Sequence, residues 1–207
     1  MRKLLLAVVI AGCITTPLSA QDDSGNAAPR VQVFGGYSYL YSHFEGARAG
    51  NNGWIGSVTT NLTDWFGVEA NFSGYYCSPK PALTVPGFSQ SLPQRRYLYV
   101  FGPQFYIARP HRVSGFVHGL AGVAQGSATE FIAEYSSGGT LIGATTAKVS
   151  NTGFGMAVGG GIEVRITKHV SVWPIQADYV RGNFTGQYEN DVRTSAGIFL
   201  RFGHVGH

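Results

Sequence analysis

From residue 31 onward, hydrophobic and polar positions alternate along this chain with a period of two. The last run is the clearest. Between Asp191 and Phe202, one face carries Val192, Thr194, Ala196, Ile198, Leu200 and Phe202, and the other carries Arg193, Ser195, Gly197, Phe199 and Arg201. Such alternation marks a β-strand with two unlike faces. At about a dozen residues the run exceeds the common strand of about 5–6, and a tilted strand of about 9–11 residues is long enough to cross a bilayer.

Seven earlier runs predict strands over roughly 31–42, 53–62, 66–75, 96–108, 113–125, 152–166 and 170–181. Tight turns fall at Thr63-Asp64, Arg109-Pro110-His111 and Thr167-Lys168-His169, and long polar loops at 43–52, 76–94, 126–150 and 182–190. Phe131, Ile132, Leu141 and Ile142, inside the longest of these loops, suggest strands that run on past the rest. Pro103 interrupts the fourth strand, and proline within a sheet marks an edge or a bulge. Beyond the leader no segment has helical periodicity. Long and short connections alternate, the strand count is even, and both ends of the chain fall on the short-turn side. Together these predict an all-β fold, an eight-stranded antiparallel up-and-down transmembrane β-barrel preceded by a cleaved signal peptide.

Composition decides which face looks outward. Charged residues make up 13% of the chain, against about 25% in soluble domains. Lys80, Lys148 and Lys168 are the lysines beyond the leader, and all three fall in predicted loops or turns. A soluble sheet blunts its exposed strands with lysine, and this one does not. The polar faces hold Gly, Ser, Asn, Gln and single charges. Tyr39, Tyr41, Tyr75, Tyr76, Tyr97, Tyr99 and Tyr179 gather beside the long loops, with Trp65 and Trp173 near the turns. Paired aromatic belts are expected where a barrel meets two headgroup layers, so the apolar face looks out to lipid.

The inward set then carries Glu69, Glu163 and Asp178 against Arg165, Arg193 and Arg201. Buried charges need partners, and an eight-stranded barrel is only wide enough for side chains to fill. The expectation is a polar plug completed by Gln104, His118 and Gln176, with Gly155, Gly159 and Gly161 leaving room for it, and no wide channel.

Residues 1–20 read as a signal peptide: Arg2 and Lys3, an apolar stretch from Leu4 to Ile14, and small residues before Gln21. A competing site, Ile10-Ala11-Gly12-Cys13, resembles a bacterial lipoprotein box, whose use would leave a lipidated Cys13. Residues 21–29 read as a flexible lead-in, 30–203 as the barrel and 204–207 as a short tail. Cys77 then stands alone, a free thiol in an outer loop, with no partner for a disulfide or zinc site. The formal charge of +4 falls to about +2 once Arg2 and Lys3 leave, with no basic run. That excludes a nucleic-acid footprint.

The end of the last strand resembles the C-terminal insertion signal of bacterial outer-membrane barrels, carried here by Ser195, Gly197, Leu200 and Phe202, although five residues follow Phe202. Over roughly 30–203 the chain resembles small outer-membrane barrels such as the OmpA transmembrane domain and OmpX, within the group of outer-membrane protein β-barrel domains. The resemblance implies residence in a bacterial outer membrane, periplasmic termini, contact with outer-membrane lipid, delivery by the barrel-assembly machinery, and a monomer. It implies no cofactor and, without a C-terminal periplasmic domain, no peptidoglycan tether.

Four functional classes remain. A structural or surface-interaction barrel fits best, and a narrow pore for small solutes is the alternative. A lipid-modifying enzyme needs a nucleophile within reach of a histidine and an acid, yet Ser42 and His43 fall on opposite faces. A soluble lipocalin-like carrier needs an apolar interior. No catalytic or metal-ligating set emerges: His118 is the histidine expected inside the wall, and His111, His169, His204 and His207 at the short-turn rim lack zinc spacing.

Overall fold

The computed structural model describes residues 28–44, 47–77, 83–85, 88–90, 94–108, 112–135, 141–184, 188–203 and 205. The leader, Cys13, Lys80, His111, His204 and His207 lie outside the described residues. Among the described residues ten strands form: β1 (Val31–Phe44), β2 (Ala47–Asn61), β3 (Phe66–Cys77), β4 (Leu83–Val85), β5 (Phe88–Gln90), β6 (Gln94–Ala108), β7 (Val113–Tyr135), β8 (Leu141–Arg165), β9 (Val170–Asn183) and β10 (Tyr188–Phe202). Eight of them close an antiparallel barrel in the order β1-β10-β9-β8-β7-β6-β3-β2, while β4 and β5 pair separately within the third connection. No described residue is helical.

The strands form where the alternation predicts them, but several run further. β1 and β2 consume most of the loop expected at 43–52, and their ladder continues to Phe44↔Ala47. β7 and β8 reach 23 and 25 residues and stay paired out to Tyr135↔Leu141, so most of the loop expected at 126–150 is a two-stranded ribbon. β6 pairs with β7 no further than Ala128, and β9 with β8 no further than Gly155. Past Ala128 on β7 and Asn151 on β8, whose amide still donates to Asn183 at 2.8 Å, the ribbon pairs only with itself. Thr145, Thr146 and Lys148 to Ser150 are exposed on both faces, which removes the pressure for period-two alternation there, and the strands that Phe131, Ile132, Leu141 and Ile142 suggest past the rest are present. Lys148 therefore sits on an exposed strand, and Cys77 ends β3. Alternating loop length gives way to alternating strand reach.

At the other rim two described turns are tight and alike. In one, Leu62 and Thr63 donate to the Phe66 carbonyl, and Thr63 Oγ1 accepts from Phe66 N–H at 3.0 Å. In another, Ile166 and Thr167 donate to the Val170 carbonyl, and Thr167 Oγ1 accepts from Val170 N–H at 3.0 Å. A threonine hydroxyl closing its own turn is a local device that fixes hairpin register. The closing seam between β1 and β10 runs past Phe202, since Val205 N–H donates to the Ala28 carbonyl at 3.0 Å.

Two irregularities matter. Pro103 causes no register shift with either neighbour; it points outward, where a missing N–H disturbs the ladder without disturbing the packing. The bulge lies instead in β9, where Pro174 and Ile175 are both exposed and the ladder with β10 shifts between Ser195 and Gly197. Two successive outward residues reverse the parity of everything before them. Trp173, expected in the outer belt, is thereby turned into the lumen, where it is 1% exposed. Tyr75 is likewise inside rather than in the belt.

Candidate functional site: the barrel lumen

Side chains fill the lumen in layers. Nearest the short turns, Gln32 donates to Glu163 at 3.2 Å, Tyr106 OH donates to Gln32 Oε1, and Arg201 Nε lies 3.8 Å from Glu163. Above them is an aromatic slab of Phe34, Tyr106, Phe116, Trp173 and Phe199, joined by Ile55. Trp173 anchors it, with ring centroids 4.1 Å from Phe199, 4.3 Å from Phe116 and 4.4 Å from Phe34.

The slab needs a thin wall. Gly36 and Gly197 face each other across the β1–β10 seam, and a Cβ on Gly197 would come within 2.4 Å of the Gly35 carbonyl and 2.7 Å of the Phe34 ring. The glycine of the predicted insertion signal is thus also the floor on which Phe34 lies.

The central layer holds the ionic cluster. Arg193 and Asp178 are cross-strand neighbours on β10 and β9, and Gln104 and His118 on β6 and β7. Arg193 Nε donates to Asp178 Oδ2 at 2.6 Å, while its Nη1 reaches Asn71 Oδ1 at 3.1 Å and Ser73 Oγ at 3.3 Å. Gln176 donates to Asp178 at 2.7 Å, Asn71 donates to Glu69 at 2.8 Å, and Thr59 donates to Gln104 at 3.1 Å. His118 bridges the two acids, with Nδ1 2.7 Å from Glu69 and Nε2 2.9 Å from Asp178. A ring protonated on both nitrogens donates to both carboxylates at once. Room for Asp178 comes from Gly159, whose Cβ would sit 2.2 Å from the carboxylate.

Over this layer lies a second apolar cluster containing Leu40, Tyr75, Leu98, Leu120, Val180 and Phe184. At the long-hairpin rim a third ionic group follows. Arg96 Nη1 donates to Glu189 at 2.5 Å and to Ser42 at 3.3 Å, with Asp191 at 3.6 Å, and its guanidinium lies over the Phe184 ring.

The expected inward residues therefore divide between two levels. Glu69, Gln104, His118, Gln176, Asp178 and Arg193 meet in the central layer, and Glu163 and Arg201 form the lower group. Arg165 is half-buried where β8 ends. Of the residues expected to form the insertion signal, Ser195 points inward, 2.9 Å from Ser38 Oγ, Gly197 supports the slab, and Leu200 and Phe202 lie on the outer surface. The interior is not uniformly polar as expected, because two apolar layers alternate with three polar ones. Sequence reading missed the Arg96–Glu189–Asp191 group, although Arg96 shares parity with Gln104 and Asp191 with Arg193. Parity was the available signal.

Both His118 nitrogens face carboxylates. Among the described residues no group of three metal-ligating side chains is placed to hold an ion.

A family model for the outer membrane protein beta-barrel domain matches residues 4–199, nearly the whole chain. The chain belongs to this family. The barrel is therefore an outer-membrane protein, and its exposed belt of apolar residues, Phe101, Ile107 and Ile198 among them, faces lipid. Solved structures share the fold. Ail, the attachment invasion locus protein of Yersinia pestis, solved in complex with the heparin analogue sucrose octasulfate, is 17% identical, with TM-score 0.56 over 84% of this chain and 99% of that one. Neisserial surface protein A is 12% identical, with TM-score 0.54 over 88% of this chain and all of that one. No curated protein matches the sequence. Membership in this family displaces the soluble-carrier reading: the apolar interior such a carrier needs is here a packed slab, and the outer wall is apolar as well.

Proposed function

We propose that this protein is a non-catalytic structural and surface-interaction barrel with a sealed lumen. The observation that carries the reading is the aromatic slab, in which the Trp173 ring lies within 4.4 Å of those of Phe34, Phe116 and Phe199 across the lumen. A water-filled path would have to pass through it, and packed aromatic side chains leave no room for one. The ionic cluster above the slab is stapled by short bonds in a dry layer, an arrangement suited to holding strands together rather than to passing ions. The part of the molecule available to partners is then the β7–β8 ribbon, which projects beyond its neighbours.

In this reading residues 1–20 are removed on export, the short turns and both termini face the periplasm, and the barrel-assembly machinery inserts a monomer through the Ser195–Phe202 signal. Single-channel recording of the purified protein in planar bilayers tests the sealed lumen. The expected trace shows no sustained openings. A sustained conductance altered by Glu163→Gln or Arg193→Gln would replace this reading with a narrow solute pore.

A further inference from the structure

Seven of the eight seams in the barrel join strands that follow one another along the chain, β3 and β6 through the connection that carries β4 and β5. The eighth seam, between β1 and β10, joins the first barrel strand to the last, and no connecting turn holds it. Elsewhere a frayed ladder re-forms readily, because a short connection keeps its two strands close. At the β1–β10 seam only non-covalent contacts do so, and it is the place where the closed wall is easiest to part.

Past its last rung, Val31↔Phe202, this seam carries a further set of bonds. Gly203 has φ +62°, a left-handed conformation that glycine adopts without a Cβ penalty, and it turns the tail out of the strand direction. The Gly203 carbonyl accepts from Arg30 N–H at 3.4 Å, and Val205 N–H donates to the Ala28 carbonyl at 3.0 Å. On its other side the same segment is pinned to the turn between β2 and β3. Asn61 N–H donates to the Arg30 carbonyl at 2.9 Å, Asn61 Nδ2 donates to the Pro29 carbonyl at 2.6 Å, and Asp64 Oδ1 accepts from Ala28 N–H at 3.2 Å. Every backbone donor and acceptor of residues 28–30 is thereby satisfied by protein, and Pro29, which has no N–H, stands where none is needed. Ala28 and Pro29 are both buried although they precede β1. Gly67 keeps the space for this arrangement, since a Cβ there would come within 2.7 Å of Asn61 Oδ1. A segment that merely led into the barrel would leave these groups to water.

We propose that residues 28–30 and 203–205 form a clasp on the β1–β10 seam, which governs how often the closed barrel parts there and is not required for the barrel to form. The turn at Asn61–Asp64 is its fixed jaw and the tail beyond Gly203 its closing one. With the clasp shut, the edges of β1 and β10 stay paired to the end of the wall. With it released, fraying starts at Val31–Phe202 and runs up the one seam that no hairpin restores.

The test is amide hydrogen exchange of the full chain folded in lipid vesicles, read strand by strand by mass spectrometry. Val205→Pro removes the donor on the tail, and Asp64→Ala removes the acceptor on the turn. Each should speed exchange in the lower halves of β1 and β10 by about fivefold, the effect of one lost hydrogen bond, and the two together should speed it further. Exchange in β7, on the opposite wall, should stay at the wild-type rate. Asp64→Asn retains an acceptor oxygen and should keep most of the protection. Heat-modifiable gel migration should show every variant reaching the folded form. Unchanged exchange at the seam in the double variant overturns the proposal, and so does an equal rise in all strands, which would mark a general loss of stability. Failure of the Val205→Pro chain to reach the folded form also overturns it, because the tail would then be needed for assembly itself.

Discussion

Trp65 and Trp173 both lie close to the short-turn rim, one 60% exposed on the outer wall and the other 1% exposed in the lumen. Outside, Trp65 stacks on Phe105 with centroids 6.2 Å apart, a loose contact on a surface that lipid completes. Inside, Trp173 touches three rings at 4.1–4.4 Å, because nothing but protein can fill the space around it. The same residue type obeys two rules. On the outer face apolarity suffices and neighbours are interchangeable. On the inner face every side chain has a shape or a charge to match, and errors are costly.

The difference should appear in unfolding experiments on barrels in lipid vesicles. The largest effect is expected at the centre. Arg193→Met leaves the Asp178 carboxylate buried without its guanidinium, and uncompensated buried charges cost about 3–5 kcal/mol. Asp178→Leu together with Arg193→Met should recover much of that loss, since a well-packed apolar pair can replace a buried ion pair. If the single variant unfolds like wild type, the central layer is not the staple described here. Trp173→Ala should cost a similar amount, about 3–5 kcal/mol, whereas Trp65→Ala on the outer wall should cost well under half as much.

Gly197→Val comes next. A side chain there collides with the Gly35 carbonyl and the Phe34 ring, and overpacking of this kind costs about 1–3 kcal/mol. It should slow membrane insertion of the folded form even though Leu200 and Phe202 are untouched. Normal insertion would mean that Gly197 serves neither slab nor assembly.

The smallest effect belongs to the projecting ribbon. Replacing residues 129–148 by a tight turn removes strand that pairs only within the hairpin, so barrel stability should move by less than about 1 kcal/mol. Partner binding through the ribbon should be lost with it.

Much of this was legible in the sequence, and for one reason. A strand with lipid on one side and a crowded lumen on the other must alternate, so the eight strands follow from period two, and composition with the aromatic belts then turns Glu69, His118, Asp178 and Arg193 inward. What alternation could not show has a physical explanation in each case. Trp173 was misplaced because the Pro174–Ile175 bulge adds one outward residue, and a one-residue slip inverts every position before it. Tyr75 was counted with the belt because it sits beside Tyr76, yet adjacent residues on a strand cannot share a face. Most of the β7–β8 ribbon reads as loop because exposed strand such as Thr145 to Ser150 carries no alternation, and only Phe131, Ile132, Leu141 and Ile142 mark it as strand. The aromatic slab was missed because Phe34, Phe116 and Phe199 come from strands far apart in sequence, and only the barrel register brings them to one level.

The central claim is that the ionic layer lies dry between two apolar layers. The most direct measurement is chemical access to it. Ser195→Cys, in a chain whose other cysteines are serine, places a thiol of nearly the same size beside Ser38 in that layer. In the folded barrel in vesicles, a small water-soluble thiol reagent should leave it unmodified until the protein is denatured, while a cysteine at the exposed Lys168 reacts at once. Rapid modification of the Ser195→Cys thiol in the folded barrel would mean that water reaches the central layer, and the sealed lumen would have to be abandoned.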